Sequence, residues 1–244
     1  MINFLRKKYL NRRTLQQYYF NFYHKIFFKK RIQDFLDSGY YVFDKNFSFE
    51  NINLDKYLSY PNLNFVGERR KIDFKDLKKI YSVLNEIGVI SVIKDYFSTK
   101  IYSYDNSVLT LGNQKCYTDS MQPHHDSKGR RIKVYIWLDD KNLKTHPLYY
   151  LKGTHKQVLN WERYDQTRFS NIDKKEFIEI YGDKGNIIFF DTHGIHSHFK
   201  ETDVSRSVIE LTFEPFGFFN RLNNRNIKSE TERLSLIDLD ELIN

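Results

Sequence analysis

Cysteine is nearly missing from this chain: Cys116 is the only one in 244 residues. A lone thiol excludes an intramolecular disulfide and a thiolate metal cluster, and it points to a reducing compartment. Long apolar runs are missing too. No stretch approaches the roughly 18 consecutive apolar residues of a membrane-crossing helix, and the basic N-terminus is followed by Tyr, Gln and Asn rather than a secretory apolar core. A soluble, cytoplasmic protein is the expectation. Acidic residues are missing from residues 1–33, which hold nine bases: Arg6, Lys7, Lys8, Arg12, Arg13, Lys25, Lys29, Lys30 and Arg31. The remainder carries 30 basic against 31 acidic side chains, so the net charge of +8 belongs to an N-terminal arm.

What is abundant is apolar and aromatic surface, 40% and 17% of residues, enough to bury the core of a single domain. Residues 1–36 interleave the bases with Tyr9, Tyr18, Tyr19, Phe20, Phe22, Tyr23, Phe27 and Phe28, which suits amphipathic helices packed by their aromatic faces. Their charged face is either simply solvated or a contact surface for an anionic membrane, nucleic acid or acidic partner.

Asp73 can cap a helix through about residue 85, with Phe74, Leu77, Ile80, Tyr81 and Leu84 on its apolar side and Gly88 as a stop. A short helix follows at residues 91–97. Strand-like runs then occupy residues 100–105, 108–112 and 115–118, separated by Asp-Asn-Ser and Gly-Asn turn signals. Helices first and strands afterwards argue for a barrel buttressed on one side. Residues 131–138 alternate: Ile132, Val134, Ile136 and Leu138 face one way, Arg131, Lys133, Tyr135 and Trp137 the other. The first set suits supporting helices and the second a barrel interior. Residues 157–182 begin with a polar-aromatic stretch, a lid or an ordinary surface insertion. A helix over residues 174–181, begun by Asp173, follows.

Chemistry concentrates in residues 120–138. His124 and Asp126 are two residues apart, so in an extended segment both point to one side and can close on one cation. A second imidazole, His196, stands ten residues before Arg206, which opens a strand-like run to Phe213. Two histidines and one carboxylate form the facial triad of non-haem Fe(II) oxygenases. His125, His193 and His198 are competitors for the metal, whereas His146 and His155 read as structural or pocket-edge groups.

From about residue 35 onward the chain resembles the phytanoyl-CoA dioxygenase-like family of Fe(II)/2-oxoglutarate-dependent oxygenases. Residues 37–43 look like its opening segment, His124-x-Asp126 like its proximal iron pair, and Trp137 like its cosubstrate-pocket tryptophan. Residues 148–156 resemble its Pro-Gly-Ser/Thr-His segment, residues 185–190 the strand before the distal histidine, and Arg206 the arginine that binds the far carboxylate of 2-oxoglutarate. Lys152 replaces the usual proline and Asn186 a frequent aspartate, neither of them a ligand. The resemblance implies a mainly β fold with flanking α-helices, a double-stranded β-helix or jelly roll, with N-terminal helices buttressing one sheet. It implies an arm at 1–36, a catalytic domain at 37–222 and a polar, helical tail at 223–244.

Implied metal ligands are His124, Asp126 and His196; implied cosubstrate contacts are Arg206, Trp137 and Lys133. Substrate contacts are expected from Tyr135, Arg131, Arg163, Arg168 and Trp161, the two loop arginines suiting an anionic group. Fe(II), 2-oxoglutarate and O2 are the implied cofactor and cosubstrates, with ascorbate as an in-vitro addition, and the substrate is a small molecule. Asp126 favours oxygenation over halogenation, because related halogenases leave that position to a halide. Two alternatives stand beside this: a non-catalytic jelly-roll binding protein and a nucleic-acid-base dioxygenase. The second usually has an arginine where this chain has Thr212. The oligomeric state stays open. Removing residues 1–30 is expected to weaken binding to anionic vesicles while leaving 2-oxoglutarate affinity unchanged; an insoluble truncated chain would instead make the aromatic face part of the core.

Overall fold

Alternation in the central strands decides which side of the sheet is wet with charge and which is packed with helices. The computed structural model describes residues 22–23, 26, 32–58, 67–97, 100–111, 122–126, 130–139, 147–157, 169, 171–198, 206–215 and 237–243. In chain order the elements are α1 (Gln33–Ser38), β1 (Tyr40–Val42), β2 (Gly67–Lys71), α2 (Phe74–Glu86), α3 (Val89–Phe97), β3 (Ile101–Leu111) and β4 (Ile132–Trp137). They continue with β5 (Leu148–Tyr150), β6 (Ile178–Ile180), β7 (Ile187–Asp191), β8 (His196–Ser197), β9 (Arg206–Pro215), β10 (Ile237–Asp238) and α4 (Leu239–Ile243). The larger sheet runs β1-β7-β4-β9-β3-β10, with β2 added on β3, and the smaller runs β6-β5-β8. Every pairing is antiparallel. This is the jelly roll expected from the sequence.

Helix α2 starts where Asp73 accepts a hydrogen bond from the Asp76 amide at 2.9 Å, satisfying one of the amides a helix start leaves unpaired. Leu77, Ile80, Tyr81 and Leu84 share its buried face; Phe74, expected among them, is 53% exposed. From α3, Val89, Ile90, Ile93 and Tyr96 join that layer. Both helices cover the outward face of the large sheet, where Ile132, Val134, Ile136, Phe189, Ile209, Leu211 and Phe213 are buried. Each such side chain contributes about 1.5–3 kcal/mol through removal from water. The opposite face of the same strands, with Tyr135, Trp137, Ile188, Phe190 and Val208, meets Leu148, Tyr150 and Ile180 of the small sheet. Ile32, Phe35 and Leu36, within the stretch assigned to the arm, and Leu239, within the tail, also belong to the helix-side core.

Three elements differ from expectation. Residues 101–111 form one strand rather than two: the register passes from Tyr104↔Thr212 to Ser107↔Glu210, so the Asp-Asn-Ser signal marks a bulge. Asn106 satisfies it, its side chain accepting from Ser103 Oγ at 2.9 Å and its carbonyl from the Ile72 amide at 3.1 Å. The helix expected at 174–181 is a single 3-10 turn, Lys174–Glu176, with a capping box on Asp173, and the chain then enters β6. Pairing of Ile180 with Leu148 and burial of Phe177 and Ile180 outweigh the helical start signal. Strand β2 is charged, Gly-Glu-Arg-Arg-Lys, and shows no apolar periodicity; it is held by its ladder to β3. Residues 115–118 lie outside the described residues.

At the end of the large sheet, buried Arg130 pairs with buried Asp191 through Nη1 and also reaches the His155 carbonyl at 3.2 Å. Asp191 in turn accepts from the Tyr96 hydroxyl and, at 2.8 Å, from the His193 amide. Asp191→Ala would leave the guanidinium buried without its counter-charge. A loss of about 3–5 kcal/mol in urea denaturation is expected; a loss under about 1 kcal/mol would make the pair incidental.

Candidate metal centre and anion pocket

His124 and His196 are brought together by backbone pairing. The His124 amide donates to the His196 carbonyl at 2.9 Å and the His196 amide to the His124 carbonyl at 2.8 Å. This lays residue 124 alongside β8, which itself pairs with β5 through Tyr150↔His196. Two residues on, the Asp126 amide donates to the Thr192 carbonyl at 2.8 Å, tying the segment to the turn after β7. One ligand atom each from His124, Asp126 and His196 then lies within 4.8 Å of the others, and all three residues are buried. His125 points away, its ring 5.7 Å from Phe169 and 5.9 Å from His193. His155 bonds the Leu36 carbonyl at 3.0 Å through Nε2. His146 lies outside the described residues.

The donor chemistry suits a divalent cation. His124 Nδ1 lies 2.8 Å from the Gln122 carbonyl and His196 Nδ1 2.9 Å from the Gly194 carbonyl. A carbonyl only accepts, so both Nδ1 atoms carry a proton, and Nε2 is the nitrogen left to ligate a metal. Burial, and next the adjoining His124, push the His196 imidazole down to about 3, so it is neutral at ordinary pH. Burial alone would raise the Asp126 carboxyl; Lys133 and Arg131 foremost, then the two imidazoles, hold it well below the usual carboxylate range. Two imidazoles and one carboxylate are the ligand set of a facial triad.

Further along the interior face, Arg206 is 1% exposed, and none of its three nitrogens has a hydrogen-bond partner among the described residues. Its guanidinium carbon stands 5.0 Å from the centre of the Trp137 ring, and burial lowers its pKa to about 10. Trp137 Nε1 and His198 Nδ1 also lack partners among the described residues. A buried unpaired fork of this kind matches the two oxygens of a carboxylate. Lys133 Nζ lies 3.8 Å from Asp126 Oδ2 and 3.5 Å from Glu210 Oε2. The Tyr135 hydroxyl donates to Glu210 at 3.0 Å and lies 3.5 Å from His198 Nε2. Arg131 donates to Glu214 at 2.7 Å and to Asp126 at 3.5 Å. Trp161, Arg163 and Arg168 lie outside the described residues.

Sequence reasoning missed Glu210, Glu214 and Arg69, and weighed His198 only as a competing metal ligand. A signal existed for two of them, because residues 206, 208, 210, 212 and 214 share one face of β9. Glu210 accepts from Arg69 Nε at 3.1 Å. Burial works to raise its carboxyl, and Lys133 and Arg69 more than offset this, leaving it at about 2. No sequence signal pairs it with Arg69, 141 positions away. Because Arg206 is buried with no hydrogen-bond partner among the described residues, Arg206→Met is expected to stabilise the ligand-free protein by roughly 1–3 kcal/mol and to weaken binding of any carboxylate ligand the site takes. Thermal unfolding and calorimetric titration check both halves, and a destabilised variant would mean the guanidinium has a structural partner.

No protein-family model and no curated protein matches the sequence. Among solved structures, the chain is similar to the non-heme alpha ketoglutarate dependent epimerase SnoN from nogalamycin biosynthesis: 13% identity, 76% of this chain, 80% of that chain, TM-score 0.51. It is also similar to HygX from Streptomyces hygroscopicus, determined with nickel and 2-oxoglutarate bound, at 12% identity over 79% of this chain and 88% of that one, TM-score 0.50. Similarity to EvdMO1, at 15% identity and TM-score 0.50, covers 76% of this chain but about half of the other, 49%. At such identities the likeness is one of fold, and that fold is the jelly roll seen in non-haem, 2-oxoglutarate-dependent enzymes.

Proposed function

We propose that this protein is an Fe(II)/2-oxoglutarate-dependent oxygenase of the phytanoyl-CoA dioxygenase-like type, hydroxylating a small polar or anionic metabolite with release of succinate and CO2. One observation carries the reading: a buried His124–Asp126–His196 donor set shares an interior with a buried guanidinium, Arg206, that has no partner among the described residues. A metal site alone would suit many binding proteins, and a lone buried arginine many folds. Together they match the two ends of a 2-oxo dicarboxylic acid. SnoN and HygX, whose descriptions name that cosubstrate, support the same reading through their shared fold.

In this reading His124, Asp126 and His196 hold Fe(II), which when bound supplies the redox chemistry that couples 2-oxoglutarate decarboxylation to C–H oxidation. Arg206 binds the distal carboxylate through two parallel hydrogen bonds, backed by the face of Trp137. Leu109, Val208, Phe190 and Tyr150 belong to the apolar cluster between the two sheets and would help to keep water from the site. Lys133 and Tyr135 line the wall between the two ends. Trp161, Arg163 and Arg168, which lie outside the described residues, are the proposed substrate contacts. The proposed catalytic domain at 37–222 is completed by Ile32, Phe35, Leu36 and Leu239, which share its core. That SnoN is described as an epimerase places more than one reaction outcome on this fold, and hydroxylation is the outcome proposed here.

Asp126→Ala is expected to stay folded, because the residue contributes little packing, and to lose both Co(II) binding and succinate formation. Full succinate formation by that variant would refute the assignment; a wild-type protein that binds metal and 2-oxoglutarate without turnover would favour a binding role.

A further inference from the structure

Two cations reach the same oxygen of Asp126. Arg131 Nη1 lies 3.5 Å from Oδ2 and Lys133 Nζ 3.8 Å from Oδ2. Oδ2 is the oxygen each cation approaches, and among the described residues no hydrogen bond goes to Oδ1. Neither cation is loosely held. Arg131 donates to Glu214 Oε1 from Nε at 3.1 Å and from Nη2 at 2.7 Å, and its guanidinium stands 5.1 Å from the centre of the Tyr104 ring. The Tyr104 hydroxyl donates to the same Glu214 oxygen. Lys133 Nζ is 3.5 Å from Glu210, whose carboxylate is also fixed by Tyr135 and Arg69.

The register of β4 against β9 explains the pattern. Lys133 pairs with Thr212, so Glu210 and Glu214 stand two residues to either side of it on the same face, one anchor for each cation. Asp126 thus faces two positive groups whose positions are set by the sheet rather than by the metal site.

We propose that Arg131 and Lys133, anchored by Glu214 and Glu210, are positioning residues that occupy Oδ2 of Asp126 and so restrict this carboxylate to one-oxygen binding of a metal ion. The inference rests on His124, Asp126 and His196 being the ligands. Its chemical consequence is an open coordination position. A carboxylate that bound through both oxygens would take a position that a chelating 2-oxo acid and O2 need on an octahedral ion. The arrangement has an opposing cost, since positive charge beside the ligand weakens attraction for a divalent cation. These two effects give Arg131 a signature that a packing role lacks: its removal should tighten metal binding and weaken cosubstrate binding.

The test is Co(II) titration of the full-length wild type, Arg131→Met and Arg131→Lys, followed by 2-oxoglutarate titration of each Co(II)-loaded protein and thermal unfolding of each. Arg131→Met should bind Co(II) at least as tightly as wild type and 2-oxoglutarate about tenfold more weakly, the scale of one charge-assisted hydrogen bond. Arg131→Lys should restore most of the 2-oxoglutarate affinity. Co(II) affinity that falls together with the unfolding temperature would overturn the proposal in favour of structural support, as would unchanged 2-oxoglutarate affinity in Arg131→Met. If that variant does not fold, the metal-induced infrared difference spectrum of the wild type decides. A wide separation of the aspartate carboxylate stretches, as for one-oxygen binding, supports the proposal, and a narrow one, as for two-oxygen binding, overturns it. A wild-type protein that binds no Co(II) would instead remove the metal reading, and this inference with it.

Discussion

Two backbone hydrogen bonds, exchanged between His124 and His196, hold the candidate centre together. The imidazoles come from segments far apart in the chain, and neither sits within a long ladder. β8 is two residues long, and residue 124 belongs to an isolated bridge. Surrounding structure therefore has to fix the pair. Tyr150 opposite His196 joins it to the small sheet, and the Asp126 amide on Thr192 joins it to the turn after β7. That turn is braced by Asp191, which holds Arg130, the Tyr96 hydroxyl and the His193 amide. Close approach adds a steric limit at Gly194, where a Cβ would collide with the Tyr150 hydroxyl. Packing of α3 on the sheet thus reaches the metal centre through Tyr96 and Asp191.

The interior carries more charge than a core of this size ordinarily tolerates, and its arrangement shows how that is managed. Asp126, Glu210 and Glu214 are interleaved with Arg131 and Lys133, and Arg69, itself more than half exposed, reaches Glu210 from the rim. Arg206 stands outside this balance. Its guanidinium has no hydrogen-bond partner among the described residues, which is the ground for proposing an anion there. The apolar lining of Phe190, Val208, Leu109 and Tyr150 between these charges strengthens each electrostatic contact by lowering the local dielectric.

Much of this was legible in the sequence for physical reasons. Alternation in residues 131–138 separates the helix-facing from the interior-facing side chains, because a strand has a period of two. Asp73 announces α2 because an aspartate before an apolar run caps a helix start. His124-x-Asp126 could be chosen over His125 because the segment is extended. Other features depend on contacts between distant residues. The same Asp-Asn-Ser letters serve a turn or a bulge, and only pairing with β9 decides. A capping box at Asp173 promises a helix, but Leu148 offers Ile180 a strand partner. β2 has no apolar pattern at all, and the Arg69–Glu210 pair spans 141 positions. The anchoring of Arg131 by Glu214 follows from a register that sequence does not state.

A divalent metal and a 2-oxo dicarboxylate bound side by side in one interior would have a direct spectroscopic consequence. Anaerobic titration of the Fe(II)-loaded protein with 2-oxoglutarate tests it most directly, followed by visible absorption. A weak metal-to-ligand charge-transfer band is expected that saturates at one 2-oxoglutarate per iron and is not produced by succinate, which lacks the keto oxygen needed to chelate. Saturable 2-oxoglutarate binding without that band would place the dicarboxylate away from the metal and contradict side-by-side binding.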